Sequence, residues 1–234
     1  MTGLYTAEFL NEGVIFPFDK PYRWTSFDLV NKIRKDLCVH AGIKKLKVGH
    51  AGTLDPLATG LLILCVGKAT KKISSIQEMK KEYFAEVTLG TTTPSYDLET
   101  EINQTFNIEH IDSSLIQKKL ELFKGKTEQI PPVYSAKKFN GVRAYEYARE
   151  GINKKMKAVK IEIFELEIIK FNLPRLELKI ICSKGTYIRA LARDLGLALD
   201  SGGHLTGLRR TAIGPYKIKD SINLENFQKK LNIL

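Results

Sequence analysis

Cysteine is scarce in this chain, and the three cysteines lie far apart. Cys38, Cys65 and Cys182 form no C-x-x-C pair, and their number is odd. This spacing argues against a structural zinc site and against a disulfide framework, and it fits a reducing compartment, so we expect a cytoplasmic protein. The sequence also lacks an apolar run of the roughly 18 residues that a membrane span needs, so we expect no membrane partner.

Signatures of cofactor sites are absent as well. The sequence contains neither Gly-x-x-x-x-Gly-Lys-Ser/Thr nor Gly-x-Gly-x-x-Gly, which argues against a bound mononucleotide or dinucleotide. No second histidine lies at metal-ligand spacing from His50, which argues against a metal site. We therefore expect a protein that works without a cofactor or a metal.

Negative charge is in the minority. The chain has 26 acidic and 37 basic side chains, a net charge of +11 and a pI near 9.4. Such a balance attracts polyanions, most simply a nucleic acid or an anionic membrane surface. The alternative is a lysine-rich surface without a ligand, and charge alone favours nucleic acid only modestly. Cations cluster between Lys32 and Lys47, where Asp36 is the only acidic residue.

A loop carboxylate and a buried strand are combined in the stretch from Lys47 to Lys72, KVGHAGTLDPLATGLLILCVGKATKK. Asp55 lies in a glycine-containing segment between His50 and a continuous apolar run at residues 61–66, which predicts a strand that holds the loop rigidly. An aspartate before proline is usually a turn residue. On a rigid loop flanked by lysines, it is instead typical of a catalytic acid beside a polyanion.

The pattern of the whole chain predicts an α/β protein of the α+β type, with a central mixed, mostly antiparallel sheet flanked by helices, in one domain over residues 1–234. Thr25 or Ser26 is expected to cap an amphipathic helix. The expected buried face of that helix consists of Phe27, Val30, Ile33 and Leu37. The stretches KIEIFELEIIKF and RLELKIIC alternate in hydropathy and predict paired antiparallel strands, whereas TTTPSYDLETE predicts a surface loop.

Three further segments carry candidate RNA-binding chemistry. Arg189 follows a Lys184–Thr186 turn that could present N–H groups and positive charge to a phosphate, although by spacing alone it is an ordinary helix arginine. Tyr134 and Lys137 lie on one proline-containing loop and suit base stacking with phosphate contact. A structural interpretation stays open for each of them: Tyr134 as an anchor of its loop and Lys137 as a solvated charge. In the third segment, KKEYFAEV, Tyr83 is by default an aromatic residue of a strand, packed in the core.

The ordered motifs resemble those of the bacterial TruB-type tRNA pseudouridine synthases, in a short form. The stretch that contains Asp55 resembles the family signature, and six blocks follow the family's order from about residue 13 to 215. The other blocks are Asp19–Pro21 with Trp24–Ser26, Lys81–Tyr83, Gln129–Lys137, Cys182–Arg189 and Leu208–Arg210.

The resemblance implies the pseudouridine synthase fold and conversion of the T-loop uridine of tRNA, at RNA position 55, to pseudouridine without cofactor or metal. It implies that tRNA binds through its T stem-loop, partly on a thumb-like segment at about 125–153, with no obligate protein partner. Asp55 would be the nucleophile, attacking either the sugar or the base, and Arg189 would pair with it. Tyr83, also a catalytic residue in this family, would stack on the flipped uracil, and a role as a base on the ribose stays open for it.

The same resemblance implies roles for the remaining site residues. His50 would fill the gap that the flipped nucleotide leaves. Lys20 and Lys137 would support phosphate or the active site, and Tyr134 and Lys184 would bind RNA. Many relatives carry an additional C-terminal RNA-binding module, which we do not expect here, so we expect the basic surface to compensate and tRNA to bind less tightly.

Two alternatives to this function stay open. One is a catalytically silent tRNA-binding or tRNA-folding protein of the same fold, although Asp55, Tyr83 and Arg189 are all present. The other is a pseudouridine synthase for ribosomal RNA, which would share the aspartate but would not be expected to keep the motif around Tyr134.

Overall fold

The computed structural model describes residues 5–135, 138–139, 142–143, 147 and 156–233. The chain forms two units, one from Met1–Tyr83 with Arg209–Leu234, called unit 1, and one from Phe84–Leu208, called unit 2. Within the described ranges, no helix is long and apolar enough to cross a membrane.

The helices of the described residues are α1 (Ala7–Glu12), α2 (Ser26–His40), α3 (Ile73–Glu78), α4 (Ser113–Leu120), α5 (Ile188–Ala198) and α6 (Leu224–Lys230). The strands are β1 (Val14–Lys20), β2 (Val48–His50), β3 (Thr59–Val66), β4 (Lys81–Leu89), β5 (Thr91–Thr92), β6 (Gln104–Thr105), β7 (Gly125–Gln129), β8 (Lys138–Phe139), β9 (Val142–Arg143), β10 (Val159–Asn172), β11 (Arg175–Cys182), β12 (Gly203–Ile213) and β13 (Tyr216–Lys217). Short 3-10 helices cover Gly67–Lys72, Glu121–Phe123 and Ile218–Asp220.

Strand β3 is the centre of unit 1. It pairs antiparallel with β1 and β2 and parallel with the end of β12, where Arg210 lies opposite Gly60. One face of β3 packs in a core with α2 and α6, and the other face packs in a second core with Ile76 of α3. Because both faces are buried, the strand is continuously apolar. The predicted α+β architecture with a mixed sheet is confirmed.

Helix α2 begins where the sequence predicts. Thr25 is its N-cap and forms a capping box with Asp28, whose backbone N–H donates to Thr25 Oγ1 over 3.0 Å. The prediction that Phe27 lies on the buried face is wrong, since Phe27 is 63% exposed and Leu29 is buried instead. At roughly 100° per residue, Phe27 lies about a quarter-turn or more from the centre of the buried face.

The long strands of unit 2 pair antiparallel as predicted. β10 pairs with β11 and, on its other edge, with β7, and the pairing with β11 shifts register between Ile163 and Glu165. The sequence predicts a helix that starts near Thr186, and α5 begins two residues later. It also predicts a short helix from about Val142 to Gly151; that segment falls largely outside the described residues, and Val142 itself belongs to β9.

The segment TTTPSYDLETE differs from its predicted role as a surface loop. Thr93, Ser95 and Asp97 are 5% exposed or less. Their polar groups satisfy one another: Ser95 Oγ donates to Asp97 Oδ1 over 2.6 Å, and Thr93 Oγ1 donates to the Asp97 carbonyl over 2.7 Å. The polar composition therefore marks a buried hydrogen-bonded loop, because polar side chains can be buried when they are paired.

Candidate active site

Asp55 lies on the loop between β2 and β3, in unit 1. The loop leaves β2 at His50 and is tied at its start by Ala51, whose N–H donates to the Ile63 carbonyl over 2.9 Å. The Asp55 carbonyl accepts from the N–H of Ala58 over 3.1 Å, which closes a turn. The Asp55 residue is partly exposed, and the backbone on both sides of it is fixed.

Ser26, the first residue of α2, holds the residue that precedes Asp55. Its Oγ accepts from the N–H of Leu54 over 2.9 Å and donates to the Leu54 carbonyl over 3.1 Å. Ser26 and Leu54 are each 3% exposed. One hydroxyl thus satisfies both backbone groups of a buried residue, as buried polar groups require.

Lys20, at the end of β1, holds the residue that follows Asp55. It is fully buried, and its Nζ donates to the carbonyls of Trp24, Pro21 and Pro56 over 2.5, 3.0 and 3.3 Å. Burial lowers the pKa of Lys20 to about 8, and the nearby charge of Asp55 acts in the opposite direction. These contacts fit the predicted role in supporting the active site better than a contact with phosphate.

Arg210 of β12 holds the start of the same loop. The residue is 1% exposed, and its guanidinium donates to the carbonyls of Leu61, Gly52 and Thr53 over 2.7, 3.0 and 3.4 Å. Side chains from α2, β1 and β12 therefore fix the backbone from Gly52 to Pro56, and that loop is rigid because most of its carbonyl groups have partners.

His50 lies half-buried at the end of β2. Its Nδ1 is buried without a hydrogen-bond partner among the described residues. Burial lowers the pKa of His50, and the positive charge of Arg210 lowers it further. The imidazole is therefore neutral near pH 7, which suits its predicted role of filling the gap that a flipped nucleotide leaves.

Tyr83 is the last residue of the first segment of unit 1 and lies on β4, 8% exposed. Two residues before it, Lys81 donates through Nζ to the Met79 carbonyl over 2.7 Å. Between them, Glu82 accepts from Thr211 Oγ1 over 2.6 Å. The Lys81–Tyr83 motif thus forms a strand whose polar side chains are held by neighbours in the same unit.

Arg189 lies in unit 2, on the first turn of α5, and is 4% exposed. Its Nε lies 3.5 Å from Asp97 Oδ2, and its terminal nitrogens donate to the carbonyls of Ser95 and Tyr134 over 3.2 and 2.8 Å. Asp97 is nearly as deeply buried as Arg189, so the pair is a buried ion pair with additional hydrogen bonds. The buried loop at residues 93–97 therefore holds this arginine.

The start of the predicted thumb segment is attached to α5. The side-chain amide of Gln129 accepts from the N–H of Tyr187 over 2.9 Å and donates to its carbonyl over 3.1 Å. Arg193 donates to the Ile130 carbonyl over 3.0 Å and stacks on Tyr96 with 4.9 Å between the guanidinium carbon and the ring centroid. The segment that leads to Tyr134 is thus held at both ends by side chains of unit 2.

The remaining predicted residues lie at the surface or outside the described ranges. Lys184 is exposed in the turn before α5, next to Gly185, whose φ of +79° favours glycine. Lys137 lies outside the described residues. In the part of the chain that the structure describes, no group of three or more His, Cys, Asp or Glu side chains could hold a metal ion.

Comparison with known proteins assigns this arrangement to the pseudouridylate synthases. The model described as "TruB family pseudouridylate synthase (N terminal domain)" matches residues 40–188, and "tRNA pseudouridylate synthase B C-terminal domain" matches residues 189–233. The chain belongs to the TruB family of pseudouridylate synthases, as its motifs predict.

Individual relatives agree with this assignment. The chain is 54% identical to a tRNA pseudouridine synthase B of Phocaeicola vulgatus, over 94% of each chain. It is 51% identical to a protein of the same name from Flavobacterium johnsoniae, over 97% of this chain and 99% of the relative.

Solved structures confirm the fold. The chain resembles a chain in "Crystal Structure of a Cbf5-Nop10-Gar1 Complex", with a TM-score of 0.71 and 27% identity over 96% of this chain. The match covers 58% of that longer chain, so this chain spans a little over half of its length.

Several residues that fix the site are not predicted by the sequence. In the sequence, Ser26 and Arg210 are distinguished only by belonging to motifs, and the composition around Asp97 predicts a surface loop. The available signal for Ser26 and Arg210 is their place inside motif blocks, and Asp97 has no such signal. Their partners lie 28, 158 and about 90 positions away in sequence, and spacing along the chain does not predict such pairs.

Proposed function

We propose that this protein converts the uridine at position 55 in the T loop of tRNA to pseudouridine, in the cytoplasm and without an obligate protein partner. The observation that carries the proposal is the identity of 51–54% with proteins named tRNA pseudouridine synthase B, over nearly the whole length of both chains. The rigid loop around Asp55, which belongs to the matching signature motif, supports it.

The reaction is an isomerisation and needs no oxidant or reductant. The bond between uracil N1 and ribose C1′ breaks, the uracil turns, and a bond from C5 to C1′ forms, while C5 loses a proton and N1 gains one. Asp55 is the nucleophile, which adds to the ribose or to the base and departs again, as a carboxylate can. Clamping of the loop from Gly52 to Pro56 would fix the direction of attack.

The other site residues act on the flipped nucleotide. The target base is stacked in the folded T loop, and extruding it costs about a few kcal/mol. Neutral His50 fills the gap that it leaves, and Tyr83 stacks on the extruded uracil. Arg189, held by Asp97, pairs with the carboxylate of Asp55 in the working enzyme. Lys20 supports the loop through the Pro56 carbonyl.

RNA phosphates bind to exposed cations. Lys44, Lys45 and Lys47 are all exposed between α2 and β2, in the region where Asp36 is the only acidic residue, and Lys184 is exposed beside α5. Tyr134, whose carbonyl is fixed by Arg189, offers a ring for stacking on a base, and Lys137 follows it. Contacts of this kind weaken with salt, because each neutralised phosphate releases a counterion.

Pseudouridine mapping tests the proposed function. The purified protein is incubated with an unmodified tRNA transcript, and pseudouridine is located by chemical modification and primer extension. We expect modification at position 55 with the wild type and none with Asp55→Ala. Absence of pseudouridine with intact tRNA binding would instead favour a silent tRNA-binding protein, and full activity of Asp55→Ala would refute the mechanism.

A charge-matched pair of variants tests the basic surface. Replacing Lys44, Lys45 and Lys47 by alanine should raise the dissociation constant for tRNA about tenfold and reduce its salt dependence. The control replaces three other exposed lysines of unit 1, Lys217, Lys219 and Lys230, and removes the same charge. Equal affinities of the two triple variants would contradict a specific role for the first group.

A further inference from the structure

Arg210 is a buried cation whose hydrogen bonds within the described residues all go to backbone carbonyls. The residue is 1% exposed, and its hydrogen bonds go to the carbonyls of Leu61, Gly52 and Thr53. Among the described residues, no carboxylate forms an ion pair with it. Its neighbour on β12, Arg209, pairs instead with Asp19 over 2.6 Å. Burying an unpaired charge is costly, so the position of this guanidinium needs a reason.

The three carbonyls lie at the two ends of the Asp55 loop. Gly52 and Thr53 precede Asp55, and Leu61 belongs to β3, the strand into which the loop runs. One planar guanidinium thus ties the ends of the loop together through separate N–H groups. A lysine ammonium is a single point charge and cannot reproduce that geometry.

A close approach of two backbones sets the position of Arg210. In the parallel pairing of β12 with β3, Gly60 lies opposite Arg210. A Cβ atom at Gly60 would lie 2.3 Å from the Arg210 carbonyl oxygen and 2.8 Å from its nitrogen. Only glycine therefore allows β12 to come near enough to direct the side chain of Arg210 under the loop.

The charge of Arg210 also acts on the groups around Asp55. It contributes to the lowered pKa of His50 and to that of Lys20, after burial in both cases, whereas Asp55 raises the pKa of Lys20. Two buried cations, Lys20 and Arg210, thus bind carbonyls on either side of Asp55, and both lie within electrostatic range of groups in this site.

We propose that Arg210 is a positioning residue for Asp55: it fixes the carbonyls of Gly52 and Thr53 and so orients the carboxylate toward the reacting nucleotide. The inference rests on the proposed function. It assigns to Arg210, and not to its neighbour Arg209, a task in the chemical step in addition to completing the sheet.

Single-turnover kinetics separate this role from tRNA binding and from folding. Arg210→Lys and Arg210→Gln are compared with the wild type at a temperature where all are folded, as shown by circular dichroism. We expect the rate constant of pseudouridine formation at saturating protein to fall about 100-fold, because a misplaced reacting group costs about that factor. The dissociation constant for tRNA should stay within about threefold of the wild type.

Arg209→Lys is the matched control, since it makes the same change at the next position of β12. We expect it to react at nearly the wild-type rate. Equal rate losses at positions 209 and 210, an unchanged rate in Arg210→Lys, or a loss confined to tRNA affinity would each overturn the inference. Failure of both Arg210 variants to fold, with Arg209→Lys folded, would also overturn it, because Arg210 would then be structural. A wild type that forms no pseudouridine would refute the proposed function itself.

Discussion

Ser26→Ala removes the hydroxyl that holds the backbone of Leu54, next to Asp55. In the wild type, Ser26 Oγ accepts from Leu54 N–H over 2.9 Å and donates to Leu54 C=O over 3.1 Å, and both residues are buried. Alanine leaves these two backbone groups without their partner. A buried group left unsatisfied costs about 1–3 kcal/mol, so for two such groups we expect the free energy of unfolding to fall by about 2–6 kcal/mol.

The decrease in the free energy of unfolding can be measured on a variant that is still folded. A domain of ordinary stability has about 5–15 kcal/mol to lose, so the variant should remain folded at 25 °C. Urea denaturation should show a lower midpoint with an unchanged slope, because the surface exposed on unfolding is the same. Alanine is the better helix former, so a loss of stability cannot come from helix propensity. Because Leu54 precedes Asp55, the single-turnover rate should also fall, by about tenfold or more.

Ser75→Ala is the matched control for this prediction. Ser75 Oγ also donates to a backbone carbonyl, that of Lys72, over 2.8 Å, but the residue is exposed. Water can replace the lost hydroxyl there, so we expect a change within about 0.5 kcal/mol. If Ser26→Ala were no more destabilised than Ser75→Ala, or reacted at the wild-type rate, the reasoning that the loop is clamped by Ser26 would be refuted.

Three other changes test the remaining supports of the site. Gly60→Ala places a side chain on a residue with φ of +102° and against the backbone of Arg210. The free energy of unfolding measured by urea denaturation should therefore fall by about 3 kcal/mol or more. A decrease below about 1 kcal/mol would contradict the close approach of β12 to β3. Asp97→Asn keeps the shape but removes the buried negative charge that lies 3.5 Å from Arg189, and should cost about 3–5 kcal/mol by the same method. A near-neutral change would show that this ion pair does not stabilise the fold. Burial lowers the pKa of His50 below its ordinary value of 6.5, so the midpoint of its NMR titration should lie below that value. As pH falls below 6.5, the unfolded chain takes up the proton before the folded chain does, so the free energy of unfolding should decrease. A His50→Gln variant should lose that part of the pH dependence.

Local signals in the sequence predict the elements that carry the site. The apolar run at residues 61–66 predicts β3, because a strand buried on both faces has no alternation to show. Thr25 or Ser26 as the cap predicts the start of α2, because a hydroxyl side chain before an amphipathic stretch is a local signal, and the structure shows that the cap is Thr25. The prediction that Phe27 is buried was wrong, because Phe27 lies at the edge of the apolar face of α2.

Contacts between distant parts of the chain could not be predicted in this way. Arg210 binds Gly52 from a position 158 residues away, and the polar loop that holds Arg189 resembled a surface turn because buried and exposed hydrogen-bonded loops share one composition. The ordered motifs identified the family but gave no partner for Arg210. What links these residues is the pairing of β12 with β3, which depends on the topology of the sheet.

The way in which Asp55 and Arg189, two of the candidate catalytic residues, are held constrains how the reaction can proceed. The backbone around Asp55 is fixed by Ser26, Lys20 and Arg210, and Arg189 is fixed by an ion pair and two carbonyls. A loop held at so many points cannot move far to meet its substrate without losing buried hydrogen bonds, at about 1–3 kcal/mol for each group left unsatisfied. Extruding one uridine costs about a few kcal/mol in total. Deforming the RNA therefore costs less free energy than moving the loop. We expect the uridine to be extruded toward Asp55 while the Asp55 loop keeps its position.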